Sequence, residues 1–433
     1  MSHLADIPFD HLPSTLRDAV TVTSLLGIQF IWIDALCIVQ DDPTDVAREI
    51  SVMPDTFRCA WLTISASSAR NAREGFLKDR DFESRVLSTH EYKHDDGSSG
   101  SVMLVRRDSE WRSSQEDDPV KSRAWTLQEH LLSPRLLEFS TRQLRWRCMG
   151  SEGWDGDNWP RWSLRPGQVD LTRRLLLDGT SEKTPSECAT SLELWYGIVQ
   201  EYSRRSLSIP TDKLAAISAL AARVASPSLG RYLAGLWQFE LARSLLWTSS
   251  APRDSKWPPK EYVAPSWAWA SIEAVIKPSD ELLIIYARIV RCDVVPVHDF
   301  APFGKVMSAS LVIEGYLIST TETTLTKVRG MEFSFEIRGY KRSVLLGFDS
   351  KSEFTGFGSP SAIKPKDCWC FYFGHKSAAS GTTWMEGLLL VAVGNPADLR
   401  FRRVGRWSAY DPIYLKNNKA VWNTTDRRTV EII

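Results

Sequence analysis

The chain has 433 residues, 43% of them hydrophobic and 24% charged, and its 53 basic and 53 acidic side chains leave no net charge. This is the composition of an ordinary globular chain long enough for two or three domains, with no basic tract interleaved with aromatics to argue for nucleic acid as a principal partner. No apolar run approaches the ~20 residues of a membrane span, residues 1–8 lack the build of a signal peptide, and seven scattered cysteines make no disulfide framework, so a reduced, cytoplasmic chain is expected.

Pro13-Ser14 opens a helix with Leu16, Val20, Thr23 and Leu26 at helical spacing and Gly27 as its stop. Residues 30–33, Phe-Ile-Trp-Ile, form a continuous apolar run that reads as a strand buried on both faces. Asp34 falls at its end, where a carboxylate is costly without partners or a task. Pro43-Thr44-Asp45 opens a second helix, with Val46, Ile50, Met53 and Phe57 on one face, and residues 60–66 read as another buried strand. Strand, helix, strand predicts a βαβ unit, with 28–33 and 60–66 as parallel neighbours. Ligands collect outside the carboxyl ends of such strands, an edge that here carries Asp34, Cys37, Ser65, Ser67 and Ser68.

Residues 81–119 are polar and broken, with a flexible turn or hairpin tip at 93–101. A helix carrying Arg123, Trp125 and Glu129 follows, then strand material at 136–146, closing an α/β domain over 1–148. Residues 149–184 read as a loop or linker. A helical segment spans 185–260, with faces at Leu194, Ile198 and Tyr202 and at Leu214, Ile217, Leu220 and Val224, and a third helix over 232–247. From 261 to 433 the period turns toward two. Candidate strands at 283–290, 310–317, 332–338, 343–348, 369–373, 388–393 and 402–407 predict a β-rich C-terminal domain. Eighteen tryptophans are the compositional oddity; a core built from large rings is the ordinary explanation, a ligand-stacking groove the other.

Trp125 and Glu129 stand at i and i+4, so the ring can shield the carboxylate; the alternative pairs Glu129 with Arg123 or Arg135 and puts Trp125 in the core. Asp34 can position a hydroxyl of a substrate or orient Arg123, or it can cap the following turn. Arg80 and Arg123 are candidate phosphate clamps, with surface ion pairs as the default. Cys37 reads as a buried inert thiol rather than a nucleophile. Cys368-x-Cys370 with His375 falls short of a zinc set, so no metal is expected. No phosphate loop, dinucleotide fingerprint, nucleophile elbow or zincin motif is present.

The pattern W-I-D-A-L-C-I-x-Q-D-D from Trp32, the helix with Glu49 and Met53, the run L-T-I-S-A, and Gly75-Phe76-Leu77 with Arg80 resemble the fungal heterokaryon-incompatibility (HET) domain. So does S-R-A-W-T-L-Q-E from Ser122 with its continuation through Leu132-Ser133-Pro134-Arg135 to Cys148. Stretches 212–218, 232–237, 264–271 and 402–405 resemble the region downstream of that domain. The W-x-x-x-E spacing is similar to that of Toll/interleukin-receptor (TIR) domains, to which the HET domain is distantly related, and some of these cleave NAD with a glutamate.

The resemblance implies a parallel, distantly TIR-like sheet in the N-terminal domain and a role in nonself recognition and programmed cell death. It implies Glu129 as the catalytic carboxylate, Asp34, Trp125, Arg123 and Arg80 as substrate-binding residues, NAD as substrate and no bound cofactor. The alternatives are a non-catalytic signalling or interaction module, working through a protein partner or self-association, and an accessory protein of a secondary-metabolite pathway. The family's usual opening strand, close to L-S-Y-x-W-G, has no counterpart ahead of Pro8. Either a first exon has been lost or this member lacks the strand, and a function that needs it depends on which holds.

Overall fold

The computed structural model describes residues 7–79, 86–105, 118–141, 144–149, 152–154, 182–250, 261–279, 284–320, 324–329, 332–337, 340–348, 368–377, 383–411 and 427–433. They fall into two units, Met1–Leu177 and Asp178–Ile433.

In the first unit, helix α1 (Ser14–Leu25) is fastened to the turn at 71–77. The Asp18 carboxylate accepts the N–H groups of Phe76 (2.7 Å) and Leu77 (3.1 Å). The Thr15 hydroxyl donates to the Asn71 carbonyl and accepts the Gly75 N–H. Gly75 has φ +73°, and a Cβ there would lie 2.8 Å from Asp18 Oδ2, so this turn requires glycine twice over. Helix α2 (Pro43–Cys59) is capped by the Asp42 carboxylate, which accepts the N–H groups of Thr44 and Asp45. Met53 is buried, and Val46, Ile50 and Phe57 are half-buried on the face that their spacing predicts.

The sheet of this unit is mixed. Strand β1 (Thr63–Ser65) is followed by a separate hairpin of β2 (Val86–Lys93) and β3 (Ser99–Val105), whose turn falls at the predicted tip. After the short helix α3 (Thr126–Leu132), β4 (Arg135–Phe139), β5 (Leu144–Cys148) and β6 (Glu152–Trp154) run antiparallel to one another, and β1 pairs with β4 in parallel. Phe139 and Leu137 of β4, Ile64 of β1 and Leu144 of β5 pack with Val22 and Phe76.

Two expectations are corrected here. Residues 28–33 join no sheet among the described residues, and Phe30, expected to be buried, is 85% exposed. The parallel partner of β1 is β4, so the sheet is not the parallel one the βαβ reading predicted. Apolar content makes a run fit for a strand without saying which neighbour completes its ladder, and β1 meets a strand some 70 residues downstream rather than the one before it.

The second unit opens with helix α4 (Pro185–Tyr202), held by a reciprocal capping box between Thr184 and Glu187. Leu194, Ile198 and Tyr202 are buried as their spacing predicts. Two 3-10 turns, Pro210–Asp212 and Ala215–Ile217, lead into α5 (Ser218–Val224). The third predicted helix is instead a hairpin, Tyr232–Leu233 against Leu236–Trp237, followed by a single helical turn, Leu241–Ser244. Ala234 (φ +50°) and Gly235 (φ +100°) form its two-residue turn, and left-handed backbone at both positions ends any helix.

The β-rich region contains a closed barrel. Strands β7 (Val306–Ser319), β8 (Cys368–Ser377), β9 (Thr383–Ala392), β10 (Arg400–Asp411) and β11 (Arg427–Ile432) form its ring in the order β7-β8-β9-β10-β11-β7. Every pair is antiparallel except β10 with β11. Arg288–Pro296 extends the sheet from β7, and Tyr340–Phe348, Glu332–Ile337 and Thr324–Arg329 extend it from β10. Ile318, Cys368, Cys370, Tyr372, Met385, Leu389, Val404 and Trp407 pack together as a buried core of this barrel.

Gly235 lends itself to a test, because a Cβ there would stand 2.6 Å from the Trp269 indole nitrogen as well as facing a positive φ. Gly235→Ala should cost at least about 2 kcal/mol, a fall of roughly 4–8 °C in Tm by calorimetry, whereas Ala234→Gly should change stability by less than about 1 kcal/mol.

Candidate functional site

The carboxyl end of β1 leads into a buried polar cluster. Ser65 is the last residue of the strand, and its register partner on β4 is Glu138. Two residues on, Ser67 is fully buried, and its hydroxyl donates to Glu138 Oε1 at 3.0 Å. Ser65 Oγ lies 2.8 Å from Ser67 Oγ and 3.2 Å from His130 Nε2 of α3. Lys121 Nζ stands 3.3 Å from Glu138, and Arg145 of β5 stands 3.6 Å away on its other oxygen. Asp118 adds a second carboxylate, 3.8 Å from Lys121, and accepts the Thr141 N–H and hydroxyl.

Glu138 is only 6% exposed. Burial alone would push its carboxyl up. The charges of Lys121, His130 and Arg145 and the Ser67 hydrogen bond outweigh that and hold it down at about 2. A charge buried this far from water and paired with Lys121 and Arg145 makes this the most strongly organised polar site among the described residues of the first unit.

Helix α3 bounds the cluster. Its start carries Trp125 and Glu129, both half-buried and one turn apart. Beyond His130, Ser133 ties the helix to β1, its hydroxyl 2.7 Å from Thr63 Oγ1 and 2.5 Å from the Glu129 carbonyl. Arg147 of β5 donates to the His130 carbonyl. Gln128 is buried, and its amide meets the Met53 sulfur at 3.6 Å, so α2 and α3 touch through one residue from each of the two sequence blocks quoted above.

The other predicted site residues are placed as follows. Arg123 is exposed at the end of the 3-10 turn Pro119–Ser122, and its carbonyl accepts the Thr126 hydroxyl. Asp34 is exposed on the single helical turn Asp34–Cys37, where its carboxylate accepts the Ala35 N–H at 2.7 Å. Cys37, on the same turn, is exposed rather than buried. Arg80 lies outside the described residues. Ser65 and Ser67 stood on the edge that the sequence pointed to, but Glu138, His130, Lys121 and Arg145 were missed. The available signal was a lone carboxylate inside the apolar strand Leu136-Leu137-Glu138-Phe139. Among the described residues no group of three or more His, Cys, Asp or Glu is placed to hold a metal, and no helix is long and apolar enough to cross a membrane.

The depressed Glu138 carboxyl predicts an acid sensitivity. A group whose folded value lies below its unfolded value adds stability above the unfolded value, about 4.5, and loses it as pH falls toward about 2. The contribution is on the order of 3 kcal/mol. Urea unfolding of wild type and Glu138→Gln should therefore differ most at neutral pH, with the gap closing between about pH 4.5 and 2; a gap constant with pH would contradict the assignment.

Residues 2–129 match the family model described as Heterokaryon incompatibility protein (HET), a span that takes in Asp34, Ser65, Ser67, Trp125 and Glu129 and stops just short of His130 and Glu138. No curated protein and no solved structure matches the chain. Over residues 2–129 the chain is thus similar to the HET domain, and this match supports an assignment to the heterokaryon-incompatibility family.

Proposed function

We propose that this protein acts in fungal nonself recognition and the cell death that follows it, and that its HET domain does so by cleaving the nicotinamide–ribose bond of NAD. The observation that carries this reading is the half-buried pair Trp125 and Glu129, one turn apart at the start of α3, within the family match. In that reaction the bond between ribose C1′ and nicotinamide breaks with its electron pair leaving on the nicotinamide. Water then adds to C1′ and releases a proton. The Glu129 carboxylate stabilises the positive charge that develops on the ribose, as carboxylates do in glycoside cleavage. Trp125 shields that carboxylate from water, and Arg123 and Asp34 serve the phosphates and a ribose hydroxyl.

A second reading has its own observation. Leu25, Phe30 and Trp61 of the same unit are 81%, 85% and 61% exposed. Large apolar side chains left in water favour a signalling module that binds a protein partner or a second copy of itself.

Glu129→Gln separates the two. It preserves size and removes charge, so chromatography of NAD and nicotinamide should show release by wild type and a loss of roughly a thousandfold or more in the variant, at unchanged thermal melting. Cell death should be lost with it. Wild type that kills but releases no nicotinamide, or a Gln variant that folds and still kills, would leave the interaction reading in place.

A further inference from the structure

His130, Ser65, Ser67 and Glu138 form an unbroken row: 3.2 Å from His130 Nε2 to Ser65 Oγ, 2.8 Å from Ser65 to Ser67, and 3.0 Å from Ser67 to Glu138 Oε1. The row has three gaps to fill with protons and only two hydroxyls between its ends. An ionised carboxylate only accepts, so the Ser67 proton is committed to Glu138. The Ser67 oxygen then turns a lone pair toward Ser65, and the Ser65 proton must fill that gap. Ser65 in turn has only a lone pair left for His130, so the third proton has to come from the imidazole.

We infer that this row holds His130 in its Nε2–H tautomer and makes it a positioning residue that clamps α3, with Trp125 and Glu129, onto the carboxyl end of β1. Two consequences follow. Ser65 is not a nucleophile activated by His130, although the distance between them imitates such a pair, because its proton points the other way. A second proton on the ring leaves the direction of the row unchanged. Nearby charged groups are Glu138 on β4, Lys121 and Arg145, which pair with it, and Arg147, which donates to the His130 carbonyl. From α2 the contact with α3 is the apolar Met53. The tautomer follows from the hydroxyl row alone and stands or falls apart from the reaction proposed for Glu129.

Nitrogen-15 labelling of the seven histidines in the full chain tests this, with His130 assigned by the signal that disappears in His130→Gln. Above its titration midpoint, wild-type His130 should show a protonated Nε2 and a bare Nδ1. In Ser67→Ala the Ser65 proton loses its acceptor and turns to Nε2, so the signals should move toward the Nδ1–H form; in Ser65→Ala the Nε2 proton loses its hydroxyl acceptor and its signal should shift. Each serine variant loses a single oxygen, so the fold is kept and the tautomer is what the test reads. An Nδ1–H tautomer in wild type, signals unmoved by Ser67→Ala, or Ser65 labelled by a fluorophosphonate would each overturn the inference.

Discussion

Backbone that leaves both helix and ladder inside a protein still has to be hydrogen-bonded. In the second unit, long side chains meet that demand. The Gly235 carbonyl, at the tip of the 232–237 hairpin, accepts indole N–H groups from both Trp195 (2.9 Å) and Trp269 (2.8 Å). Trp247 donates to the Trp267 carbonyl. Arg403 donates to the carbonyls of Leu245 and Trp247 while its guanidinium lies 3.5 Å over the Trp247 ring, and Arg406 takes the carbonyl of Leu246 between them. Lys213 reaches the Ile272 carbonyl, and Tyr202 reaches that of Lys213. The oddity of composition thus has a physical cause. Tryptophan fills a core and also carries one strong donor into it, and an irregular interior has use for both.

The same rule orders the first unit with charge in place of indole. Glu138 sits where β1 and β4 run side by side, and the hydroxyls of Ser65 and Ser67 stand between its carboxylate and α3. Replacing such a group by an apolar one would relieve the cost of desolvation. Its presence, paired with Lys121 and Arg145 and hydrogen-bonded by Ser67, gives the sheet edge one arrangement rather than several, because a shift in register would leave a charge unpaired in a dry place.

What could be read from the sequence was local. Helix starts at Pro43 and at residue 185, buried faces at Leu194, Ile198 and Tyr202, and period-two runs in the last third correspond to helices and strands in the structure. What could not be read depends on distant partners. The run at 30–33 has the content of a strand and no strand beside it among the described residues. The stretch at 232–237 has helix-like content, and the turn at Ala234 and Gly235 overrides it. The site suffered most. Ser65 and Ser67 fall on an edge that strand logic identifies, but their connection to Glu138 requires the β1–β4 register across more than 70 residues, and their connection to His130 requires the packing of α3. Motif residues in the downstream region, by contrast, prove to hold one another's backbone.

The barrel has a consequence for how the chain is made. Strand β11 closes it, and Leu311 of β7 pairs with Ile432, about 120 residues later. A ribosome adding ~5–20 residues each second needs roughly 6 to 24 s to cover that distance. Throughout that interval β7 has emerged with one edge still waiting for its partner, and pairing at such sequence separation is slow even once both strands exist. An open, apolar edge held for seconds is a template for any other strand nearby. The cell that makes this protein therefore has a use for holding factors that cover β7 until β11 arrives, and a stalled or shortened transcript would yield a chain whose barrel cannot close.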